Sequence, residues 1–261
     1  MRVEALYLSP VKSLALNRVD RARLGKSGFT GDRRFFLIDA DGRLFTQRDH
    51  FPLVQVHAGY DVAGEHLRLA FPDGSTVEGP ADAVSAPLRV PFWSRREVDG
   101  RVVDGPFAEA LSSFAGHPLR LVRVASGGAF DGVPLSICSM ESVRQLAQVA
   151  GTEHVDERRF RQNIWISGVG APHEEDAWIG HTVRVGEATL RPLLRDARCV
   201  VTTRSPETGE QDLNTLKLIA SYRTDQPGAV NFGVYAGVES PGEVAVGDAV
   251  VPMIAAVEAG P

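Results

Sequence analysis

The chain is poor in cysteine, holding only Cys138 and Cys199 in 261 residues. A Cys-only zinc site or a typical ferredoxin cluster takes four thiolates, so this chain builds neither. Charge interrupts the opening Met1-Arg2-Val3-Glu4-Ala5-Leu6-Tyr7 at once, which leaves no export signal and sets a disulfide scaffold aside. A basic excess is also absent. The 28 Lys and Arg against 33 Asp and Glu leave a formal charge of −5, with no global attraction to nucleic acid or an anionic membrane. No apolar run approaches the roughly 18 residues that a membrane helix needs, so the chain reads as cytoplasmic, with neither nucleic acid nor membrane as a partner. Gly-rich nucleotide-binding loops and histidine pairs at zincin spacing do not occur either.

Apolar residues are plentiful, at 43 %, and the length suits two closely joined domains. Short β-branched and aromatic stretches predict strands over 3–7, 34–39, 44–46, 53–60, 66–71 and 98–103. Asp41-Gly42, Pro72-Asp73-Gly74 and Asp99-Gly100 read as the turns between them. Phe107, Leu111 and Phe114 repeat at helical spacing in a helix expected over 104–115, ending before Gly116. A strand over 119–124, a Gly-rich loop and a helix from Met140 to Val149 capped by Ser139 are expected next. Further strands are expected over 163–167, 181–185, 188–193, 230–238 and 244–251, with Gly180, Gly186, Gly237 and Gly247-Asp248 as turns. The fold class is therefore mainly β with some α (α+β): a β-rich, barrel-like domain over 1–115, then a small barrel with helices over 116–261.

The stretch Arg198-Cys199-Val200-Val201-Thr202-Thr203-Arg204-Ser205-Pro206-Glu207-Thr208-Gly209 follows an apolar strand and places a cysteine beside a cation. An adjacent cation favours thiolate, which is both the nucleophile and the soft metal ligand, although a lone cysteine also reads as a packed small hydrophobe. Cys138, in Pro134-Leu135-Ser136-Ile137-Cys138-Ser139, reads as core. His173-Glu174-Glu175-Asp176 reads as an exposed acidic turn.

The Cys199 stretch resembles the cysteine signature of the MOSC domain family, in which arginine and cysteine precede two threonines and a Pro-x-Thr-Gly turn. Arg159-Phe160-Arg161-Gln162-Asn163-Ile164 is similar to the family's arginine-x-asparagine segment, and Phe232-Gly233-Val234-Tyr235 with Gly247-Asp248 to its closing strands. Pro10-Val11-Lys12-Ser13, Gly31-Asp32-Arg33 and Thr46-Gln47-Arg48 resemble the β-barrel domain that precedes MOSC domains. The chain departs from the usual pattern at Gln162, Asp196, Ala197 and Ser205, where relatives tend to carry proline, cysteine, serine and aspartate.

The resemblance implies a molybdenum cofactor (Mo-molybdopterin), with Cys199 as the metal ligand and the catalytic residue. Lys12, Ser13, Arg33, Arg161, Asn163 and Arg198 match the cofactor-binding positions. It points to mitochondrial amidoxime-reducing components and their bacterial counterparts, hence to reduction of small N-hydroxylated substrates. With no cluster-binding cysteines, electrons would come from a separate donor protein of flavoprotein, ferredoxin or cytochrome b5 type. The alternative is a carrier of molybdenum cofactor or sulfur that uses Cys199.

Overall fold

The computed structural model describes residues 1–92, 96–224 and 229–253. Its largest sheet has eight strands in the order β19 (Val250–Met253), β15 (Thr182–Val185), β16 (Ala188–Ala197), β17 (Asn231–Ser240), β13 (Leu135–Ser139), β14 (Ile164–Ser167), β1 (Arg2–Leu8) and β2 (Asn17–Val19). Hydrogen bonds from Val3 to Asp248, Gly247 to Val3 and Val250 to Met1 tie β1 back to the other end of the sheet, closing a barrel. A second sheet orders β10 (Val84–Pro91), β11 (Glu97–Val103), β12 (Arg120–Val124), β5 (Phe35–Ile38) and β6 (Leu44–Phe45). Two three-stranded sheets complete the β structure: β18 (Gly242–Ala245), β3 (Arg21–Gly25), β4 (Gly28–Phe29), and β7 (His57–Asp61), β8 (His66–Ala70), β9 (Thr76–Pro80).

Alternating side chains divide the core. Ile164 and Ile166 of β14 point into the barrel with Leu6, Ile137, Val183, Leu190 and Val234. Between them, Trp165 faces outward among Phe160, Phe232, Leu146 and Ile219. There it is covered by helices α2 (Met140–Ala150) and α3 (Thr215–Tyr222). In β5, Phe35 and Leu37 join one cluster with Phe107 and Leu111 of helix α1 (Phe107–Ala115), while Phe36 and Ile38 join another with Val90 and Val122. All four β5 residues are thus buried without breaking the period of two. Among the described residues no helix is long and apolar enough to cross a membrane.

Several expectations change at local features. The strand expected over 53–60 begins as a 3-10 turn, Phe51–Gln55, because Pro52 at its start fixes a helical φ; β7 starts only at His57. Asp99-Gly100 is not a turn but the middle of β11, where a Cβ on residue 100 would meet the Arg123 carbonyl at 2.7 Å. Gly237 likewise lies within β17. The strand expected over 244–251 is two strands separated by Gly247 at φ 92. Ser139 precedes α2, yet its hydroxyl bonds Ser142 rather than capping the backbone. The turn at 173–176 is not wholly exposed: Glu175 is buried, accepting from the Ser139 N–H and the Ser142 hydroxyl, and Asp176 pairs with Arg195 and Arg223. Burial pushes the Glu175 carboxyl above the usual range.

Gly233 sits at φ 80, and a Cβ there would lie 2.7 Å from both the Ile137 carbonyl and the Gln162 amide nitrogen. Gly233→Ala should therefore lower stability by about 2 kcal/mol, read as a lower urea midpoint. An unchanged midpoint would show that β13 and β17 can part to admit the methyl.

Candidate cofactor-binding site

Cys199 lies two residues beyond the end of β16 at Ala197 and caps a short 3-10 turn, Val200–Thr203. Thr202 bonds the Cys199 carbonyl through both its N–H and its hydroxyl, and the Thr203 hydroxyl donates to the Val200 carbonyl. These two threonines therefore satisfy the turn's own carbonyls. From behind, buried Arg159 donates to the Thr202 and Arg204 carbonyls and forks onto Asp212. The following turn lies against the first half of the chain: Gln55 donates to the Thr208 carbonyl, and Arg204 stacks over Phe51 at 4.0 Å. Gly209 makes that approach possible, since a Cβ would come within 2.6 Å of the Phe51 backbone.

The cysteine opens into a cleft of about 420 Å³ formed by both halves. All seven residues singled out in the sequence line it: Lys12, Ser13, Arg33, Arg161, Asn163, Arg198 and Cys199. Five non-glycine residues among those described have positive φ, and three belong here, namely Ser13, Arg33 and Arg161. Strained backbone of this kind persists where the surroundings impose it, and it concentrates at binding sites.

Charge in the cleft is unbalanced. Five cations, Lys12, Arg33, Arg48, Arg161 and Arg198, line it with two carboxylates, Asp131 and Asp196. Lys12 donates to Asp131 at 2.7 Å and to the Ala129 carbonyl, yet burial outweighs that pairing and lowers its pKa to about 8. Arg161 bonds the Ser9 hydroxyl and the Leu14 carbonyl. Burial, and then the charge of Arg33, lower its pKa to about 9. Arg33 pairs with Asp32 and donates to the Arg161 carbonyl. The Asn163 amide is spent on the Tyr7 carbonyl and Asp32, so its role is to brace the wall of the cleft.

The cation at the sulfur is not the one adjacent in sequence. Arg198 turns to Asp196 and the Phe160 carbonyl. Arg48, from the first half of the chain, reaches Cys199 Sγ at 3.3 Å. Nothing local in Thr46-Gln47-Arg48 signals this contact, nor does the sequence mark Asp131, Asp196 and Tyr235 as cleft walls. Burial raises the Asp196 carboxyl above its usual range against the opposing pull of Arg198. Tyr235 is raised by burial and then by Asp196. Cys138 is fully buried and its thiol is pushed well up, as expected of core.

The donor set suits an anion joined to a soft metal. Among the described residues no group of three or more His, Cys, Asp and Glu side chains converges. A metal at Cys199 must therefore arrive with other ligands, while the buried ammonium and guanidinium groups await negative charge.

The buried cations set a pH dependence. Because burial lowers the Lys12 and Arg161 pKa values, the unfolded chain binds these protons more tightly than the native fold does. Their charge costs native stability below pH 8, and the cost is relieved as pH rises through each folded value. Inorganic phosphate should raise the melting temperature of cofactor-free protein near pH 7 by a few degrees beyond chloride at equal ionic strength. That gain should shrink above about pH 8 as Lys12 deprotonates. An equal phosphate effect at neutral and high pH would contradict the assignment.

Comparison with known proteins places the chain. The profile of the MOSC N-terminal beta barrel domain matches residues 1–118, and that of the MOSC domain matches residues 126–251. Mitochondrial amidoxime reducing component 2 of Homo sapiens is 36% identical, with 97% of this chain and 83% of that protein aligned. The Bos taurus protein of the same name is 30% identical with the same coverage. Among solved structures, the YUAD protein from Bacillus subtilis is 16% identical over 95% of this chain and 93% of that one, with a TM-score of 0.45. The chain belongs to the MOSC domain family and carries that family's N-terminal beta barrel domain ahead of the MOSC domain.

Proposed function

We propose that the protein is a molybdenum-cofactor-dependent oxidoreductase that reduces N-hydroxylated compounds, with Cys199 as the protein's ligand to the metal. The reading rests on one observation above all: the Cys199 sulfur and a set of buried, under-compensated cations open into a single cleft. Relatives named amidoxime-reducing components, aligned over most of the chain, support that reaction class.

Lys12, Ser13, Arg33 and Arg161 would hold the phosphate of the cofactor, and the remaining cleft wall would receive its pterin. When bound, the cofactor supplies the two-electron redox chemistry, and the protein supplies binding, orientation and electrostatics. Asp32 orients Arg33 and accepts from Asn163 and from the Ser9 N–H, so the anion-binding guanidinium is pre-set rather than recruited. Asp196 and the Phe160 carbonyl fix Arg198 beside the cysteine. Arg48 donates to the sulfur and orients it. Burial disfavours the Arg48 charge, but Cys199, Asp131 and Asp49 together raise its pKa. Reduction of an N–OH group to N–H and water consumes two electrons and two protons, and a separate donor protein would deliver the electrons.

The test is benzamidoxime reduction with an artificial electron donor, using protein purified from molybdenum-replete cells. Wild type should turn over, and Cys199→Ala should fall to background. Arg48→Gln should retain the fold and lose about 10- to 100-fold in activity, as expected for a group that tunes a metal ligand. Protein that carries molybdenum but reduces no N-hydroxylated compound would instead support a cofactor carrier.

A further inference from the structure

Above its cationic floor, the cleft has an apolar mouth created by a defect in one strand. β16 carries one extra residue opposite β17: Pro192 pairs with Ala236 and Leu194 with Tyr235, so Leu193 and Leu194 together face a single partner. Such a bulge breaks the alternation of side chains and re-aims them. Here it leaves two successive leucines outside, 43% and 49% exposed, while Leu190 and Pro192 of the same strand stay buried. Leu194 lines the cleft that holds Cys199 and Tyr235. Next in sequence to Cys199, Val200 is 41% exposed and Val201 lines the same cleft. Single exposed aliphatic residues are ordinary, but Leu194 and Val201 lining one cleft with the Cys199 sulfur, each next to a further exposed aliphatic residue, mark a binding surface.

We propose that Leu193, Leu194 and Val200 form a shelf for an apolar aryl or alkyl substituent of the substrate, which turns the polar N–O end toward Cys199. The proposal rests on the reductase reading for the identity of that polar end. The size of the patch selects a small molecule: a specific protein interface buries roughly 800 Å² on each partner, far more than three side chains offer. The shelf is also continuous with the cleft through Leu194, as a substrate site must be. An N-hydroxylated compound with a phenyl group gains this contact, and one with only a methyl group does not.

Cys199 itself can report on the shelf without any turnover. In full-length protein produced without molybdenum cofactor, its alkylation by iodoacetanilide is compared with that by iodoacetamide, each rate divided by the rate on N-acetylcysteine. Cys138 is buried and silent in the folded chain, and Cys199→Ala supplies the blank. Wild type should favour the anilide about tenfold, the discrimination a modest apolar contact gives. Leu193→Ser and Leu194→Ser, at exposed positions that tolerate change, should bring that preference toward unity without altering the iodoacetamide rate. In loaded protein Leu193→Ser, outside the cleft wall, should raise KM for benzamidoxime relative to KM for acetamidoxime. No preference in the wild type, a preference that survives both substitutions, or equal loss with both reagents would overturn the shelf. Loaded protein that reduces neither amidoxime would count against the reductase reading alone, and the alkylation ratios would still decide the shelf.

Discussion

Buried positive charge without enough negative charge to match it is the constraint on which the site depends. Lys12 and Arg161 are taken out of water in one cleft with Arg33, Arg48 and Arg198, and burial pulls the pKa values of the first two down toward neutrality. A stable fold keeps such groups only where the surrounding structure imposes them or a ligand completes them. Asp131 and Asp32 hold Lys12 and Arg33 in place without neutralising the whole set. On the proposed reading the cleft takes an anion, and the partly exposed sulfur in the same wall suits one that carries a thiophilic centre.

That arrangement requires the two halves of the chain to be folded as one. β1 closes the barrel formed by strands from the second half, and β12 sits at the centre of the first half's sheet, between β11 and β5. The exchange sets Lys12 and Ser13, just beyond β1, against Arg161 and Asn163, just before β14. It also carries the Thr46-Gln47-Arg48 segment to the cysteine turn, where Arg48 meets the sulfur and Gly209 admits the Phe51 backbone. Neither half alone contains both the full set of cleft cations and the two partners of the Arg48–Cys199 contact.

Much of this was legible in the sequence where local chemistry decides the outcome. Strands such as Phe35–Ile38 and Ile164–Ser167 follow from β-branched and aromatic runs between turns, and α1 ends before Gly116 as expected, with that glycine left-handed. The seven site residues came from motif resemblance, and the fold gathers all of them in one cleft. What stayed hidden depends on distant partners. Arg48 and Cys199 are 151 residues apart, so adjacency pointed to Arg198, whose guanidinium is instead held by Asp196. Glu175 looked like surface because nothing local reveals that the Ser139 N–H and the Ser142 hydroxyl receive its carboxyl. The short helix α3 was missed, although Asn214 caps it by accepting from the Lys217 N–H, because eight residues carry too little periodicity to stand out.

The central claim is that this cleft holds a phosphate-bearing metal cofactor through buried cations and one thiolate. The most direct test is the molybdenum and pterin content, per chain, of wild type, Cys199→Ala and Arg161→Met proteins purified in parallel from molybdenum-replete cells. The account predicts near-stoichiometric metal and pterin in the wild type, loss of metal in Cys199→Ala, and loss of both in Arg161→Met. Equal molybdenum in wild type and Cys199→Ala would contradict it.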